Sequence, residues 1–379
     1  MKGRGSPQAE GAVVIGSARR AGEWVWDMTR QEIETWLREE DEEILSELWE
    51  RADRVRSETV GEEVHLRGLI EFSNHCERNC TYCGIRKGNR RLSRYRMSTE
   101  EILECAQLAR RLGYGTVVLQ SGQDEQFPAE WLAEVIREIK GATGLAVTLS
   151  VGERSERELR LWREAGADRY LLRFETSDLT LYRRIHPPLR GRSPDRIAQL
   201  RLMRELGFEI GSGVMIGIPG QSYSLLAADI SLFGELDLDM IGVGPYIPHP
   251  DTPLSRVRSP LPPGEQVPAV DVMTYKVIAL SRLVCPEANI PATTALATVN
   301  PREGRALGLS RGANVIMPNI TPACYRRLYD IYPGKAGPAE TPEECHARLL
   351  ALLQSLGRRP GVGPGSRRRS RQPHSYPVG

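Results

Sequence analysis

The feature that most constrains the fold of this chain is a regular alternation of short apolar runs and helical patterns from residue 64 onward. Eight runs rich in Val, Ile and Leu are predicted strands, over residues 64–72, 116–120, 145–150, 169–174, 210–216, 240–243, 289–296 and 313–317. Helical patterns lie between them, over residues 98–112, 128–140, 155–165, 178–186, 193–206, 222–234, 268–284 and 301–309. This alternation is typical of a parallel sheet, because parallel neighbours need a crossover connection.

The number of repeats favours a closed barrel over an open sheet. Eight β/α units close a (β/α)8 TIM barrel, whose right-handed crossovers place every strand-to-helix loop at one mouth. The alternative is a doubly wound open sheet, which is expected to carry a glycine-rich phosphate loop after its first strand. Here the first predicted strand leads into cysteines instead. We therefore predict an α/β fold built on a TIM barrel.

Shorter regions flank the predicted barrel, which is expected to span residues 61–357. Residues 1–60 are predicted to form a loose arm and a helix that packs on the barrel. Residues 358–379 are rich in Arg, Gly, Pro and Ser without apolar periodicity, and are predicted to be a disordered basic tail. Three capping boxes mark helix starts, at Thr29, Ser98 and Thr341.

The composition is that of an ordinary globular enzyme. The chain has 379 residues, 40% of them hydrophobic and 26% charged, and a formal net charge of +2. A charge so close to balance indicates neither a nucleic-acid partner nor a membrane surface. No apolar run reaches the length of about 18 residues that a membrane helix needs. Seven cysteines, three of them clustered, are typical of a reducing compartment, so we expect a cytoplasmic protein.

The clustered cysteines indicate a metal centre. Cys76, Cys80 and Cys83 form a CxxxCxxC pattern just after the first predicted strand. A structural zinc site needs four protein ligands, and ferredoxin-type clusters are usually held by four thiolates. Three thiolates leave one iron of a cubane free to bind another group. We predict a [4Fe–4S] cluster whose open iron holds S-adenosylmethionine (SAM); zinc completed by His75, or three unrelated cysteines, are the alternatives.

Polar residues at the ends of the other predicted strands suit such a cofactor. The carboxylate of SAM needs a cation, and its amino group and ribose need acceptors such as Ser121 and Glu175. Arg173 and Glu175 follow the fourth predicted strand at an i, i+2 spacing and so point the same way, although such a pair is also common as a structural ion pair.

Several longer stretches carry a family resemblance. They are EFSN (71–74), RYRM (94–97), VLQSG (118–122), AGADRYLLR (165–173), PYIPHPDTPL (245–254), IPATTA (290–295) and GANVIMPN (312–319). With the cysteine motif, these stretches resemble the radical SAM superfamily. Within it they resemble the HydE maturase family, a relative of biotin synthase and methylornithine synthase.

The resemblance implies roles for individual residues. It implies cluster ligands at Cys76, Cys80 and Cys83. It implies cofactor-binding positions at Tyr82, Gln120, Ser121, Glu175, Arg196 and Ile247. It implies a catalytic substrate cavity lined by Arg173, Met240, Thr293, Thr294, Met317 and Tyr329.

The resemblance also implies an activity. Reductive cleavage of SAM would give a 5′-deoxyadenosyl radical that acts on a sulfur-containing organometallic iron precursor during assembly of the [FeFe]-hydrogenase H-cluster. Other hydrogenase maturases and an electron donor are the implied partners. The alternatives are a related mutase or sulfur-inserting enzyme with an organic substrate, and a cluster- or zinc-binding scaffold without catalysis.

Two departures from the family pattern lead to further expectations. Some relatives hold a second cluster on three cysteines after the segment equivalent to residues 331–335, but here only Cys345 follows it. We therefore predict a single cluster. Phe174 stands where relatives often have histidine, and strand alternation predicts that it faces away from the site.

Overall fold

A computed structural model describes residues 19–20, 23–24, 28–189, 195–335 and 340–368. Its strands are β1 Arg19–Arg20, β2 Glu23–Trp24, β3 Glu63–Ser73, β4 Thr116–Ser121, β5 Ala146–Ser150, β6 Arg169–Leu171, β7 Glu209–Ser212, β8 Met215–Ile216, β9 Met240–Ile241, β10 Gly244–Pro245, β11 Val315–Ile316 and β12 Arg359–Pro360. Its helices are α1 Arg30–Arg38, α2 Glu42–Val60, α3 Thr99–Arg111, α4 Ala129–Thr143, α5 Glu156–Glu164, α6 Leu179–Ile185, α7 Arg196–Glu205, α8 Tyr223–Glu235, α9 Asp271–Val284, α10 Thr294–Val299, α11 Gly304–Leu309, α12 Ala323–Arg326 and α13 Pro342–Ser355. A short 3₁₀ helix spans Pro253–Arg256.

The main sheet is parallel and curls around an interior. Seven strands pair in the order β11-β3-β4-β5-β6-β7-β9, and β12 pairs with the first residues of β3. Residues 289–291 connect the two ends of this row through isolated parallel bridges, from Asn289 to Met240 and from Pro291 to Val315. The seventh predicted strand is therefore present only as these bridges. The prediction of an α/β barrel is confirmed.

Strand register stacks the inward side chains in layers. Leu69 of β3 lies beside Val118 of β4, which lies beside Thr148 of β5. The next layer toward the carboxyl ends is polar and contains Glu71, Gln120 and Ser150. Outward residues of β4 and β5 join the hydrophobic core that includes the surrounding helices: Val117, Leu119, Val147 and Leu149. The period of two in each strand thus separates an apolar outer face from a polar upper interior.

The N-terminal extension consists of two helices, where the sequence predicted one. Thr29 caps α1 with the predicted capping box, and the boxes at Ser98 and Thr341 are also present. Asp41 accepts hydrogen bonds from the first amides of α2, so it starts a new helix and interrupts the pattern. Helix α1 packs against α8, and α2 packs against α9. None of the described helices is both long and apolar enough to cross a membrane.

The C-terminal segment corrects the predicted tail. Gly361 donates its N–H to the carbonyl oxygen of Val64 at 2.9 Å, beside the short strand β12. Further on, the carbonyl oxygen of Gly365 accepts a hydrogen bond from Arg67 at 3.0 Å, and Arg367 forms an ion pair with Asp237 at 2.6 Å. The prediction of disorder is therefore wrong for residues 358–368, while residues 369–379 lie outside the described residues. Backbone carbonyl oxygens of this glycine-rich segment accept hydrogen bonds from buried guanidinium groups. Such contacts cannot be predicted from composition.

Candidate active site

The loop that carries the three cysteines follows β3 and lies against two neighbouring loops. Gly122, just after β4, approaches this loop so closely that a Cβ atom there would collide with the carbonyl oxygen of His75. Gly84, just after the last cysteine, makes an equally close approach to the carbonyl oxygen of Asp330. Glycine at these two positions allows the cysteine loop to sit directly over the barrel mouth.

Two of the three thiols open onto one large cavity. Cys76 and Cys83 line a cavity of about 810 Å³, and Cys80 is buried beside it. Burial, with Cys80 as a neighbour, raises the pKa of Cys76 to about 11. Burial also raises the pKa of Cys80 and of Cys83. The free side chains are therefore protonated thiols at neutral pH, and a metal that binds them displaces their protons.

The surroundings of the thiols suit an anionic metal cluster. Arg78 lies between Cys76 and Cys80 in the sequence, is 4% exposed, and has two nitrogens without a hydrogen-bond partner in the described chain. Its ion-pair partner Glu153 is 3.8 Å away. A buried guanidinium beside thiolates fits a negatively charged cluster, because buried polar groups are nearly always paired. Among the described residues, no three His, Cys, Asp or Glu side chains, the three cysteines included, are already arranged to hold a single metal ion.

Most of the residues predicted to bind the cofactor lie at this cavity. Those that line it together with Cys76 and Cys83 are Tyr82, Gln120, Ser121, Glu175 and Arg196. Ile247 does not line it. It follows β10 and is half-buried, while its neighbour Tyr246 packs inward against Ile218 and Met215.

Arg196 is placed by two contacts at the start of α7. Its Nε lies 2.9 Å from a carboxylate oxygen of Glu153, and its Nη1 donates to the carbonyl oxygen of Arg173 at 2.6 Å. These contacts fix a buried cation beside the cysteine loop. The preceding residues 190–194 lie outside the described part of the chain.

The end of the fourth barrel strand presents a carboxylate through an unusual backbone conformation. Glu175 has a φ of 67°, in the left-handed region that few residues other than glycine adopt. Its side chain is 2.8 Å from Nη2 of Arg173, so the two form an ion pair at the cavity wall. Phe174 faces the other way and packs against Phe233 of α8, as strand alternation predicts. Phe174, which stands where relatives often have histidine, therefore does not line the cavity.

The residues predicted to line the substrate region divide into two groups. Five of them line the same cavity as the thiols: Arg173, Thr293, Thr294, Met317 and Tyr329. Met240 does not line it. Its sulfur accepts a hydrogen bond from Arg67 at 3.0 Å, in a lower layer of the barrel. Met240 starts β9, and the amino-terminal end of a strand lies far from the mouth.

The cavity wall contains a buried polar network that was not predicted from the sequence. Lys335 donates to both carboxylate oxygens of Glu71, at 2.7 and 2.8 Å, and Asn319 donates to the same carboxylate at 2.7 Å. Lys335 also donates to the carbonyl oxygen of Tyr329 at 3.1 Å. Burial raises the pKa of Glu71 while Lys335 opposes that rise. The sequence signal for this network was Glu71, an acidic residue at an inward position of an otherwise apolar strand.

Comparisons with known proteins agree with this architecture. Residues 70–233 match the profile of the radical SAM superfamily. The chain is 44% identical to the [FeFe] hydrogenase maturase subunit HydE of Thermotoga maritima, over 90% of this chain and 95% of that protein. It is 29% identical to 3-methylornithine synthase of Methanosarcina barkeri, over 78% and 81% of the two chains. The crystal structure of methylornithine synthase (PylB) superimposes with a TM-score of 0.75 at 26% identity, covering 88% of this chain and 94% of that one.

Proposed function

This chain belongs to the HydE family of the radical SAM superfamily, and on that premise we propose that it is a radical SAM maturase acting in assembly of the [FeFe]-hydrogenase H-cluster. One observation carries the proposal. The cysteine loop and most of the residues predicted to bind SAM and the substrate meet in a single cavity. Such a cavity can hold a cofactor and its target side by side.

The family implies a [4Fe–4S] cluster and SAM, and the residues present fit them. Cys76, Cys80 and Cys83 would hold a single cluster, with no second one after residue 335. When bound, the pair supplies a 5′-deoxyadenosyl radical by reductive cleavage of SAM. The other residues of the site would bind and orient the cofactor and the substrate, and would exclude water.

The protein groups around the cluster have distinct tasks. Arg196 would place a positive charge near the carboxylate of SAM, while Ser121 and Gln120 offer polar contacts. Glu175 would accept hydrogen bonds from the ribose, and its left-handed backbone keeps the carboxylate directed into the cavity. Because these groups are fixed before the cofactor binds, little ordering is needed on binding.

The far side of the cavity supports an anionic, sulfur-containing substrate. Thr293 is already held, since its hydroxyl donates to the carbonyl oxygen of Val243 at 3.0 Å and accepts from the amide of Leu296. Met317 offers a polarisable thioether nearby. Basic side chains line the same cavity, although Arg173, Lys335 and Arg348 are paired there with Glu175, Glu71 and Glu340. Arg305 also lines it, and its buried Nε has no hydrogen-bond partner among the described residues. We propose an organometallic iron precursor as the substrate, delivered by other maturases, with an electron donor reducing the cluster in the cytoplasm.

A second candidate is a mutase or sulfur-inserting activity on an organic substrate. It is favoured by the similarity to 3-methylornithine synthase over most of both chains. The two candidate functions make different predictions for [FeFe]-hydrogenase. Only the maturase proposal predicts that the hydrogenase needs this chain to become active.

In vitro maturation distinguishes them. Apo-[FeFe]-hydrogenase is incubated with the other maturases, SAM and reductant, with and without this chain, and hydrogen evolution is measured. We expect activity only when the chain is present, and expect Cys76→Ala to abolish it. Equal hydrogen evolution with and without the chain would contradict the maturase proposal and favour the organic substrate.

A further inference from the structure

The side chain of Tyr82, between two of the cysteines, is held by a residue that the sequence analysis did not identify. The hydroxyl of Tyr82 lies 3.0 Å from Nε2 of His186. The two rings meet edge to face, with centroids 5.4 Å apart and an interplanar angle of 89°. This geometry gives both a hydrogen bond and a favourable aromatic contact. His186 therefore fixes the orientation of a ring at the cavity wall.

His186 is itself rigidly placed at the end of α6. It is 1% exposed, and its backbone N–H donates to the carbonyl oxygen of Tyr182 at 2.8 Å. Its ring packs against the ring of Tyr182, with the two centroids 4.4 Å apart. One residue earlier, the carbonyl oxygen of Ile185 accepts from the amide of Thr81 at 2.9 Å. The end of α6 thus contacts the cysteine loop at two successive residues, once through backbone and once through side chains.

The environment of His186 differs from that of an ordinary core histidine. Its other ring nitrogen, Nδ1, is buried without a hydrogen-bond partner in the described chain, so Tyr82 is the polar contact that its ring makes there. Burial beside Arg196 and Arg78 holds the pKa of His186 well below 6.5. A neutral imidazole whose one ring hydrogen bond within the described residues is to Tyr82 suits a role in orienting that residue.

We propose that His186 is a positioning residue that acts through Tyr82 on the binding of SAM. The inference rests on the proposed function, because Tyr82 matters to SAM only if the cavity binds it. His186 would not touch the cofactor. It would restrict Tyr82 to one rotamer before SAM arrives, so that binding need not order this ring.

A double-mutant cycle tests the proposal on the reconstituted full-length protein. Tyr82→Phe removes the hydroxyl, His186→Phe removes the nitrogen, and the double variant removes both. Equilibrium binding of SAM is measured, together with the change that SAM causes in the EPR signal of the reduced cluster. We expect each single variant to weaken binding roughly five- to tenfold, as loss of one buried hydrogen bond does. The double variant should bind no more weakly than either single one, because the two residues act as a unit.

Two further variants separate positioning from general structural damage. Tyr182→Phe is the matched control, since the hydroxyl of Tyr182 has no hydrogen-bond partner among the described residues and its ring contact with His186 is kept. It should bind SAM like the wild type. His186→Gln places an amide near the position of Nε2 and should restore part of the affinity lost in His186→Phe.

Several results would overturn the inference. One is unchanged SAM binding in His186→Phe. Another is a double variant whose loss of affinity equals the product of the two single losses. The third is loss of iron from His186→Phe before SAM is added. If the wild-type protein holds a cluster but binds no SAM, the proposed function fails together with the inference. Normal wild-type binding with an unaffected His186→Phe variant overturns the inference alone.

Discussion

At the scale of single residues, the three clustered cysteines differ from the remaining thiol at the cavity. Each of Cys76, Cys80 and Cys83 lies in one short loop, whereas Cys345 lies on α13 with its sulfur 3.8 Å from Nη2 of Arg348. We expect Cys76→Ala, Cys80→Ala and Cys83→Ala each to lose the cluster and all activity. Cys345→Ala should retain wild-type iron content and activity. Iron and sulfide analysis after anaerobic reconstitution measures this, and a cluster that requires Cys345 would contradict it.

Asp229 gives a prediction about pH. It is fully buried on α8, and its Oδ1 accepts from both the amide and the hydroxyl of Ser177 at 2.6 Å. Burial raises its pKa from 3.8 to about 7. A folded-state pKa above the unfolded one means that its contribution to stability is complete below pH 4 and is lost as the pH rises through 7.

The free energy of unfolding should therefore fall by roughly 2 to 3 kcal/mol between pH 5 and pH 8 because of this group. Asp229→Asn keeps an oxygen for Ser177 but does not titrate, so it should lack that part of the pH dependence. Urea denaturation of both proteins at several pH values measures the difference. Identical pH profiles would show that Asp229 has an ordinary pKa.

Residue-level prediction from sequence succeeded where strand alternation controls direction. Arg173, Phe174 and Glu175 face the sides that the period of two predicts. Met240 and Ile247 do not line the cavity, because periodicity gives the face of a side chain but not its depth along the barrel or the path of a loop. The contact of His186 with Tyr82 had no sequence signal, since the two residues are 104 positions apart.

At the scale of elements, a buried ion pair joins the loop at Lys335 to strand β3. The side chain of Glu71 is 2% exposed, so removal of its cation leaves a buried carboxylate unpaired. Lys335→Met should lower the free energy of unfolding by about 3 kcal/mol. Glu71→Gln combined with Lys335→Met should recover much of that loss, because no buried charge remains. Equal destabilisation of the single and double variants in urea would contradict this account.

The C-terminal segment offers a second test at this scale. Gly365 has a φ of 59° and lies so close to the imidazole of His65 that a Cβ atom would be only 2.5 Å from the ring. Gly365→Ala should therefore destabilise the protein by roughly 1 to 3 kcal/mol. Gly141→Ala is the control, since Gly141 lies within α4 with no atom near its added Cβ, and should stabilise by about 0.5 to 1 kcal/mol.

Thermal unfolding of both variants measures these changes. If Gly365→Ala is as stable as the wild type, the segment 358–368 is not packed against the barrel as described.

Elements with local signals were predicted well. Capping boxes depend on residues three apart, and those at Thr29, Ser98 and Thr341 all form. The seventh strand and the C-terminal segment were predicted poorly for a common physical reason. Their conformations depend on partners distant in sequence, such as Val315 for Pro291 and Arg67 for Gly365.

At the scale of the whole molecule, the barrel explains how a discontinuous set of residues becomes one site. The cysteines follow β3, Gln120 lies on β4, and Glu175 follows β6, yet all of these regions open onto the same cavity because parallel strands end at the same mouth. The repeat number and the position of the cysteines were enough to predict this arrangement. The choice between an organometallic and an organic substrate depends on cavity chemistry that the sequence pattern does not determine.

The proposed function depends on three cysteines that hold one [4Fe–4S] cluster and on the cleavage of SAM at that cluster. The most direct test is anaerobic reconstitution followed by reduction with dithionite, EPR spectroscopy with and without SAM, and analysis for 5′-deoxyadenosine. We predict about four irons per chain, a reduced-cluster signal that SAM alters, and 5′-deoxyadenosine that is absent from the Cys80→Ala variant. Zinc in place of iron, or a reduced cluster that neither responds to SAM nor forms 5′-deoxyadenosine, would contradict the claim.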